Sequence, residues 1–297
     1  MRSVFKVLSG KGLTASLLVV GLALVSTGWA SPADAARPPH FTCSGTLSSP
    51  EAVTAHTYST FTMPPGSLCE IVGAVAVLSP LTLGNGSGLL VAKGGLTVEG
   101  GVTVGAKAAF AGLSEKAKVT ILGAVTVNSD GAFYLGTEVP YGPVFATIQG
   151  PVSGRDASAI VIQNTFIARS VTVSGGGAAN KLVDALAGPG SNYTDFEDDQ
   201  VRGPLSEVGY GGIWAGVIRT VISGPLQFAY NHEQKIDEYD IGSDVIYGSA
   251  YCAGNDPKPN VGHSSGSPSL VSGPTFGDQK ATCTGTKNGE TGPLPPH

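Results

Sequence analysis

One short pattern of apolar and small residues recurs along the second half of the chain. Its five copies begin at Ile148, Ile167, Val201, Ile222 and Ile241, and in each copy an aliphatic residue follows four positions later. The starting residues are separated by 19, 34, 21 and 19 positions, so three of the intervals fit one repeat of about 20 residues. The longer interval indicates an insertion.

Strict alternation of apolar and other residues follows these copies and also occurs upstream of them. Val171-Thr172-Val173 and Leu226-Gln227-Phe228 each place two apolar side chains on one face of a strand. Degenerate copies cover Ile71–Val77, Ala92–Val98 and Ile121–Val127, where a glycine-containing pair bends the chain. The pattern predicts short β-strands joined by tight corners.

A strand of five or six residues cannot bury an apolar face alone, so copies at this period are expected to stack. Parallel stacking in register pairs each strand with neighbours about 4.8 Å away and builds one continuous aliphatic core. The pattern therefore predicts an all-β fold, a single-stranded right-handed parallel β-helix over residues 71–250. The alternative is a β-sandwich, which favours antiparallel hairpins and strands spaced by about 8–12 residues.

Residues 1–36 have the features of a secretory signal peptide. Arg2, Lys6 and Lys11 precede the apolar run Leu13–Val25, which is too short to span a bilayer, and Ala33-Asp34-Ala35 offers small residues for cleavage. No second long apolar run follows. We therefore expect a secreted protein, extracellular or at the cell surface, with no transmembrane segment in the mature chain.

Charge and composition narrow the partners and the fold class. Without the signal peptide, 14 basic residues stand against 21 acidic ones, a net charge of −7. This balance argues against nucleic acid or anionic lipid as a partner. Only 13% of the chain is charged and 43 residues are glycine, which suits stacked strands with tight corners better than amphipathic helices.

Four cysteines lie in two pairs that flank the repeats: Cys43, Cys69, Cys252 and Cys283. Three pairings exist for four cysteines. Solenoid ends expose strand edges, so we expect Cys43–Cys69 and Cys252–Cys283 to fasten capping segments at 37–70 and 251–284. A zinc site is the alternative, although no CxxC spacing supports it. The Pro/Gly-rich tail 285–297 is expected to be disordered.

Acidic residues cluster twice, around 195–199 and 237–244. Polysaccharide lyases with a β-helix fold hold calcium with such carboxylates, so calcium is a candidate cofactor. The repeat aligns Asp198, Arg219 and Glu238 on three consecutive coils, where acids two coils apart, about 9.6 Å, cannot share one ion. Asp195, Glu197 and Asp199 could still converge on one face of a strand. The simpler interpretation is a solvated column of charges.

Aromatic residues are concentrated in the same region: Tyr193, Phe196, Tyr210, Trp214, Phe228, Tyr230 and Tyr239. Sugar-binding sites present exposed aromatic rings beside carboxylates, which makes Asp195, Glu197, Asp199, Tyr210 and Trp214 the candidate ligand-binding residues. Filling of the core or of a corner is the commoner use of aromatic rings in a solenoid.

The long interval predicts an insertion near 175–193 that leaves the stack. It contains a helical turn at Asn180–Ala187, ended by Gly188-Pro189. The insertion either displays a binding site beside Asp195 or covers an apolar corner with Leu182, Val183 and Leu186.

No catalytic residues emerge from the sequence. Gly262–Gly266 matches GxSxG formally, but it lies in a Ser/Gly/Pro-rich stretch without the strand–turn–helix context of a nucleophile elbow. The five histidines, His40, His56, His232, His263 and His297, are scattered without metal-ligand spacing.

Several segments resemble a family of secreted actinobacterial proteins of unknown function, over Phe41 to Cys283: Cys43–Leu47, Asn164–Gly177, Tyr193–Asp199 and Tyr251–Asn255. The resemblance implies a secreted, β-helix-like protein and carries no catalytic residues. That family tends to have asparagine before the second aliphatic residue of each coil. Here that site holds Pro151, Ser170, Pro204, Pro225 and Asp244, so an asparagine ladder at that corner is lost.

The sequence thus favours an exported β-solenoid with a structural, cell-surface or interaction role, more consistent with a non-enzyme than with an enzyme. The alternative is a carbohydrate-binding or polysaccharide-degrading β-helix that acts through the surface from Asp195 to Tyr239. Its partner would be an extracellular polysaccharide or a cell-envelope component.

Overall fold

The computed structural model describes residues 37–114, 116–137, 143–188, 190–232, 234, 239–259 and 268–284. Over these residues the chain winds as a parallel β-solenoid, and a typical coil contributes one short strand to each of three parallel sheets. The predicted all-β parallel β-helix is confirmed. The signal peptide, the GxSxG stretch and the tail 285–297 lie outside the described residues.

Sheet 1 carries the strictest alternation, because its strands bury one face and expose the other. Its strands in spatial order are β1 (His40–Thr42), β4 (Thr60–Met63), β7 (Leu81–Leu83), β10 (Val102–Val104), β13 (Val125–Val127), β16 (Val152–Arg155), β19 (Val171–Ser174), β22 (Leu205–Val208), β25 (Leu226–Ala229), β28 (Ala250–Ala253) and β30 (Thr275–Phe276).

Sheet 2 is apolar on both faces over its central strands, and β11, β14 and β17 are buried throughout. Its strands are β2 (Glu51–Val53), β5 (Leu68–Ile71), β8 (Gly88–Val91), β11 (Ala109–Gly112), β14 (Ala132–Leu135), β17 (Ala159–Gln163), β20 (Thr194–Glu197), β23 (Ala215–Ile218) and β26 (Asp240–Gly242).

Sheet 3 completes each coil and leads into the next strand of sheet 1. Its strands are β3 (His56–Tyr58), β6 (Ala74–Val77), β9 (Gly94–Val98), β12 (Ala117–Ile121), β15 (Ala146–Ile148), β18 (Thr165–Ile167), β21 (Gln200–Val201), β24 (Val221–Ile222), β27 (Val245–Ile246) and β29 (Leu270–Val271). In the described part of the chain, two short helices lie outside the sheets, α1 (Lys181–Ala187) and α2 (Lys280–Cys283).

The register confirms four copies of the opening pattern and corrects the fifth. Ile148, Ile167, Val201 and Ile222 pair in succession within sheet 3, but the next partner is Ile246. Ile241, the predicted start, pairs with Val217 in sheet 2. The last interval is therefore 24 residues, because the connection between β25 and β26 is longer than the corresponding one in the preceding coil.

The degenerate copies do not all belong to the same corner. Ile121–Val127 runs from sheet 3 to sheet 1, as the repeats do, whereas Ile71–Val77 runs from sheet 2 to sheet 3. Two aliphatic residues four positions apart, with a pair of small residues just before the second, suit both corners, because each corner joins two inward-facing strands by a tight turn.

The corner between sheets 3 and 1 is built on closely stacked glycine. Gly123, Gly150, Gly248 and Gly273 occupy its middle position, and a Cβ on Gly150 would fall within van der Waals contact of the Gly123 backbone. The amide of Gly273 donates to Gly248 O at 3.1 Å, and Gly150 bonds Gly123 in the same way. Glycine lets these coils approach this closely, whereas Ser79 and Arg169 hold the same position in two other coils.

The two predicted disulfides are present, one at each end of the stack. Cys43 and Cys69 have Cα atoms 6.0 Å apart, and the Cα atoms of Cys252 and Cys283 are 5.8 Å apart. The first bond joins the segment after β1 to β5, and the second joins β28 to α2. Each bond therefore fastens a terminal segment, and the strands β1 to β5, β29 and β30 of these segments are themselves part of the three sheets.

Helix α1 covers the outer face of sheet 2. Asn180 caps its N-terminus by accepting a hydrogen bond from the Leu182 amide at 3.0 Å. Val183 is buried against Ala111, Tyr134 and Val161, in a second apolar cluster outside the solenoid core. The predicted helical turn is confirmed, and its apolar residues cover the face of a sheet rather than a corner.

Candidate functional site

The predicted acidic site begins on β20, whose outward positions hold Asp195 and Glu197. Asp195 pairs in register with Val161, and its Oδ2 accepts a hydrogen bond from Gln163 Nε2 at 2.6 Å. Although both acids are on the outer face of sheet 2, each is only 4% exposed. They are therefore covered and do not form an open carboxylate surface.

Arg219 ties two of the acids to the following coil. Its guanidinium donates to both carboxylate oxygens of Asp198, at 2.9 and 2.8 Å, and also contacts Glu197. Desolvation alone would lower the pKa of Arg219, but the hydrogen bonds and charges of Asp198 and Glu197 outweigh it and raise that pKa. The arrangement is a bidentate ion pair that locks adjacent coils together.

The predicted column of Asp198, Arg219 and Glu238 is half right. Asp198 and Arg219 do occupy the same position of adjacent coils, but Ile218 pairs with Gly242, which puts Ser243 after Arg219 in the next coil. Glu238 lies outside the described residues. The error in aligning Glu238 has the same cause as the misplaced fifth repeat: the final interval is 24 residues long.

Asp199 is separated from Asp195 and Glu197 by a bend in the chain. Asp198 has a φ of 55°, so the strand ends there and Asp199 enters the corner between sheets 2 and 3. Its Oδ1 accepts from the Thr165 amide at 2.8 Å, and it is 1% exposed. The expected convergence of the three carboxylates on one strand face is therefore wrong.

Asp199 belongs to a polar ladder that runs through this corner: Thr165, Asp199, Thr220, Asp244 and Ser269. Each side chain after Thr165 accepts from the backbone amide of the preceding coil, for example Asp244 Oδ1 from the Thr220 amide at 2.9 Å. Burial raises the pKa of Asp199 and of Asp244 well above the ordinary aspartate value, more than these bonds lower it. The ladder satisfies corner amides that the strands leave unpaired.

A second ladder at the corner between sheets 1 and 2 escaped the sequence analysis. Asn231 Oδ1 accepts from the Tyr210 amide at 2.9 Å, Asn255 from Asn231 at 3.1 Å, and Gln279 from Asn255 at 2.9 Å. The asparagine ladder lost at the proline-containing corner thus has a counterpart here. Its sequence signal was an amide residue recurring 24 positions apart.

The candidate aromatic residues are mostly inside the molecule. Tyr210 is fully buried, and its hydroxyl donates to Ser158 O at 2.6 Å. Phe228 and Tyr239 are also in the core. Trp214 is half-buried, edge-on to Tyr193, with its indole over Gly216. Core packing therefore describes most of these rings, as the simpler interpretation held.

Trp214 covers the acids rather than standing beside them. Gly216, on which the indole lies, pairs with Asp195 in one direction and with Asp240 in the other. Asp240 is 5% exposed. The ring and the acids therefore do not form an open sugar-binding platform.

One buried carboxyl group points into the solenoid interior and was not noticed in the sequence. Glu207 lies on the inner face of β22, between Val173 and Phe228, and it faces Thr194. Burial raises the pKa of Glu207 to about 8, and the Thr194 hydroxyl offsets only part of this effect. The group is therefore mostly protonated at neutral pH.

Within the described ranges, one group of three cysteine, histidine or acidic ligand atoms lies close enough to hold a metal ion: Cys43, Glu51 and Cys69. The two sulfur atoms form the disulfide, and Glu51 Oε2 accepts from the Ser44 amide at 2.6 Å. The three candidate carboxylates on and after β20 do not form such a group.

These contacts define the class of protein as a parallel β-solenoid with a disulfide at each end. No family model, curated protein or solved structure matches the chain. Among the described residues, no helix has the length and apolarity needed to cross a membrane.

Proposed function

We propose that this protein is an exported, non-catalytic β-solenoid with a structural or interaction role at the cell surface or outside the cell. The observation that carries the proposal is the burial of the acidic residues on β20. Glu197 is bonded to Arg219 and Asp195 to Gln163, so these acids serve contacts between coils and are not held open for a substrate.

Three further features support this role. The two disulfides fit an oxidising compartment, which agrees with the signal peptide expected at residues 1–36. The resemblance to secreted actinobacterial proteins points to the same compartment. Stacked parallel strands fastened at both ends make a rigid rod, which suits a scaffold or a binding surface.

A turnover screen tests the non-catalytic part of the proposal. The purified mature protein is incubated with neutral and acidic polysaccharides, with and without calcium, and new reducing ends and unsaturated products are measured. We expect no product above the protein-free control. Turnover that Asp195→Asn abolishes and Glu99→Gln, a change at an exposed acid, leaves unchanged would overturn the proposal.

Export is tested separately. The full chain is expressed in a secreting bacterial host, and the N-terminus of the protein in the medium is sequenced. Cleavage near Ala36 with no free thiols is the expected result. Retention of the full-length chain in the cytoplasm, with reduced cysteines, would contradict the proposed localisation.

A further inference from the structure

The outer face of sheet 1 carries a groove that the sequence analysis did not identify. It has a volume of about 380 Å³ and runs over three neighbouring strands near the C-terminal end. Pro204 and Pro225 line one side, Ser206 and Gln227 project from the strands, and Tyr251 borders the far end. Ser206 Oγ and Gln227 Oε1 are 3.2 Å apart.

Aromatic rings continue the groove toward the end of the solenoid. Tyr251 pairs in register with Phe276, which is 51% exposed. Tyr230 is 50% exposed, its ring lies against Gly254, and its hydroxyl is 3.4 Å from that of Tyr251. These three residues form one contiguous exposed patch, here called the aromatic patch.

Toward the other end, the same line of the sheet consists of hydroxyl side chains. Register pairing aligns one outward threonine or serine on each of eight successive strands, here called the hydroxyl column: Thr42, Thr62, Thr82, Thr103, Thr126, Ser153, Thr172 and Ser206. Successive members are separated by the distance between strands, about 4.8 Å. All are exposed or half-exposed.

The chemistry of this line is neutral throughout. The hydroxyl column, Gln227 and the aromatic patch contain no ionisable acid or base that is charged at pH 7, and the groove lining has none. The surface therefore offers many hydrogen-bonding groups and apolar rings. Arg155 follows Ser153 on the outer face of β16 and Asp278 lies beside Tyr251, so charges of both signs flank the line but none stands in it. This surface suits a partner that is uncharged, rich in hydroxyl groups and long.

We propose that the groove and the aromatic patch bind a neutral linear polysaccharide, whose chain extends along the hydroxyl column parallel to the solenoid axis. A pyranose ring has an apolar face that packs on tyrosine or phenylalanine, and its hydroxyl groups pair with serine, threonine and glutamine. This inference rests on the proposed interaction role and names its ligand class.

A peptide fits this surface less well. Strand addition requires a free sheet edge, but the groove lies on the face of sheet 1, where the backbone groups of β22 and β25 are already paired on both sides. A proline-rich peptide can use the aromatic patch alone, but it gains nothing from the hydroxyl column, which would stay bound to water.

Binding is measured by affinity electrophoresis and calorimetry on the intact mature protein. The probes are a soluble β-glucan and a galactomannan, with polygalacturonate as the charged comparison and a proline-rich decapeptide as the competing class. We expect binding to at least one neutral chain and none to polygalacturonate. Tyr251→Ala and Gln227→Ala should each weaken binding at least tenfold.

Two matched variants on another face serve as controls. Tyr247 and Gln200 border a different groove, on sheet 3, and Tyr247 is 61% exposed. Tyr247→Ala and Gln200→Ala should leave the dissociation constant within twofold. Melting temperatures of all four variants show whether a loss of binding reflects unfolding, and a second replacement, Tyr251→Phe, should retain most of the affinity.

Several outcomes would overturn the inference. They are the absence of binding to both neutral chains, equal losses in the sheet 1 and sheet 3 variants, or binding of the decapeptide that the Tyr251 variant alone removes. None of these results produces turnover, so they leave the proposed non-catalytic role standing. Polysaccharide cleavage, by contrast, would refute that role whether or not the groove binds.

Discussion

Sheets 1 and 2 share the same parallel register and the same aliphatic interior, but their outer faces differ. The central strands of sheet 2 contain unbroken apolar runs, such as residues 159–162, and helix α1 covers them. Sheet 1 alternates strictly, as in Val125–Val127, and its outward side chains stay exposed or half-exposed among the residues that the structure describes. A parallel strand that is apolar on both faces requires a cover, whereas an alternating one can face water.

The two outer faces also differ in whether their polar side chains are free to contact a ligand or are already occupied by partners within the protein. Acids on sheet 2, such as Asp195 and Glu197, lie under cover and must find partners within the protein, because a buried unpaired charge is costly. Polar groups on sheet 1 remain accessible to solvent and to a ligand. The exposed sheet, rather than the sheet that holds the acids, is therefore the better place to look for binding.

The largest expected effect concerns Glu207, the carboxyl group that sheet 1 buries on its inner face. Unfolded Glu207 loses its proton near pH 4.5, but the folded protein holds it to about pH 8. Its contribution to stability is therefore complete below pH 4.5 and is lost as the pH rises through 8, a change on the order of 5 kcal/mol. Urea unfolding between pH 4.5 and 9 measures it.

Glu207→Gln isolates this contribution, because Asp199 and Asp244 also have raised pKa values and remain in the variant. The variant should lose markedly less stability over the same pH range than the native chain. Identical slopes for the two proteins would mean that Glu207 ionises in the folded state without penalty.

A matched pair of lysine substitutions tests the cover directly. Val161 is buried beneath the α1 cluster, and Thr126 is half-exposed on sheet 1. Val161→Lys should cost about 4 kcal/mol, because a longer, charged side chain must fit beneath α1 even though Asp195 on the next strand offers it a partner, but Thr126→Lys should stay within about 0.5 kcal/mol. Denaturant unfolding gives both values. Similar costs at the two sites would remove the distinction between the faces.

Reduction of the N-terminal disulfide tests how far the two sheets depend on one another, because Cys43 follows sheet 1 and Cys69 lies in sheet 2. Replacing both residues with serine should cost about 3.5 kcal/mol, as the chain-entropy relation gives for a loop of this length. The measurement is thermal unfolding, with the serine variant of the other disulfide as the comparison. Mass spectrometry of a non-reduced digest checks both pairings.

The smallest effect concerns the ion pair at the edge of sheet 2. Arg219→Gln removes the guanidinium that Asp198 and Glu197 share, so it should destabilise the fold by about 2 kcal/mol. Arg155→Gln, at an exposed arginine beside Asp156, should change stability by less than about 0.5 kcal/mol. An equal effect of the two changes would indicate that the buried pair adds nothing.

The fold was predictable because period-two alternation, a constant repeat and paired cysteines all require stacking. The sequence could not indicate which corner absorbs extra residues, since Ile241 resembles Ile222 locally although the two belong to different sheets. Nor could it show the left-handed backbone at Asp198, which turns Asp199 inward. The prediction of site residues was wrong where a single backbone angle, rather than a repeating pattern, decides which way a side chain points.

The hydroxyl column on sheet 1 did have a sequence signal. Threonine between two aliphatic residues recurs in Leu81–Leu83, Val102–Val104 and Val125–Val127, and each copy announces a hydroxyl group facing outward. Locally, the same signal indicates only a strand. Which face remains uncovered depends on where α1 packs, and a local sequence pattern does not encode that tertiary contact.

The glycine corner described above sets a rule for how such a molecule can grow. From β6 onward, three residues always separate a sheet 3 strand from the following sheet 1 strand, whereas the other connections vary in length. Extra residues therefore leave the stack elsewhere, as they do around α1. The rod itself can lengthen only by whole coils, in steps of about 4.8 Å. The length of the solenoid is therefore a whole number of coil spacings, because the three-residue corner is the same in every coil from β6 onward.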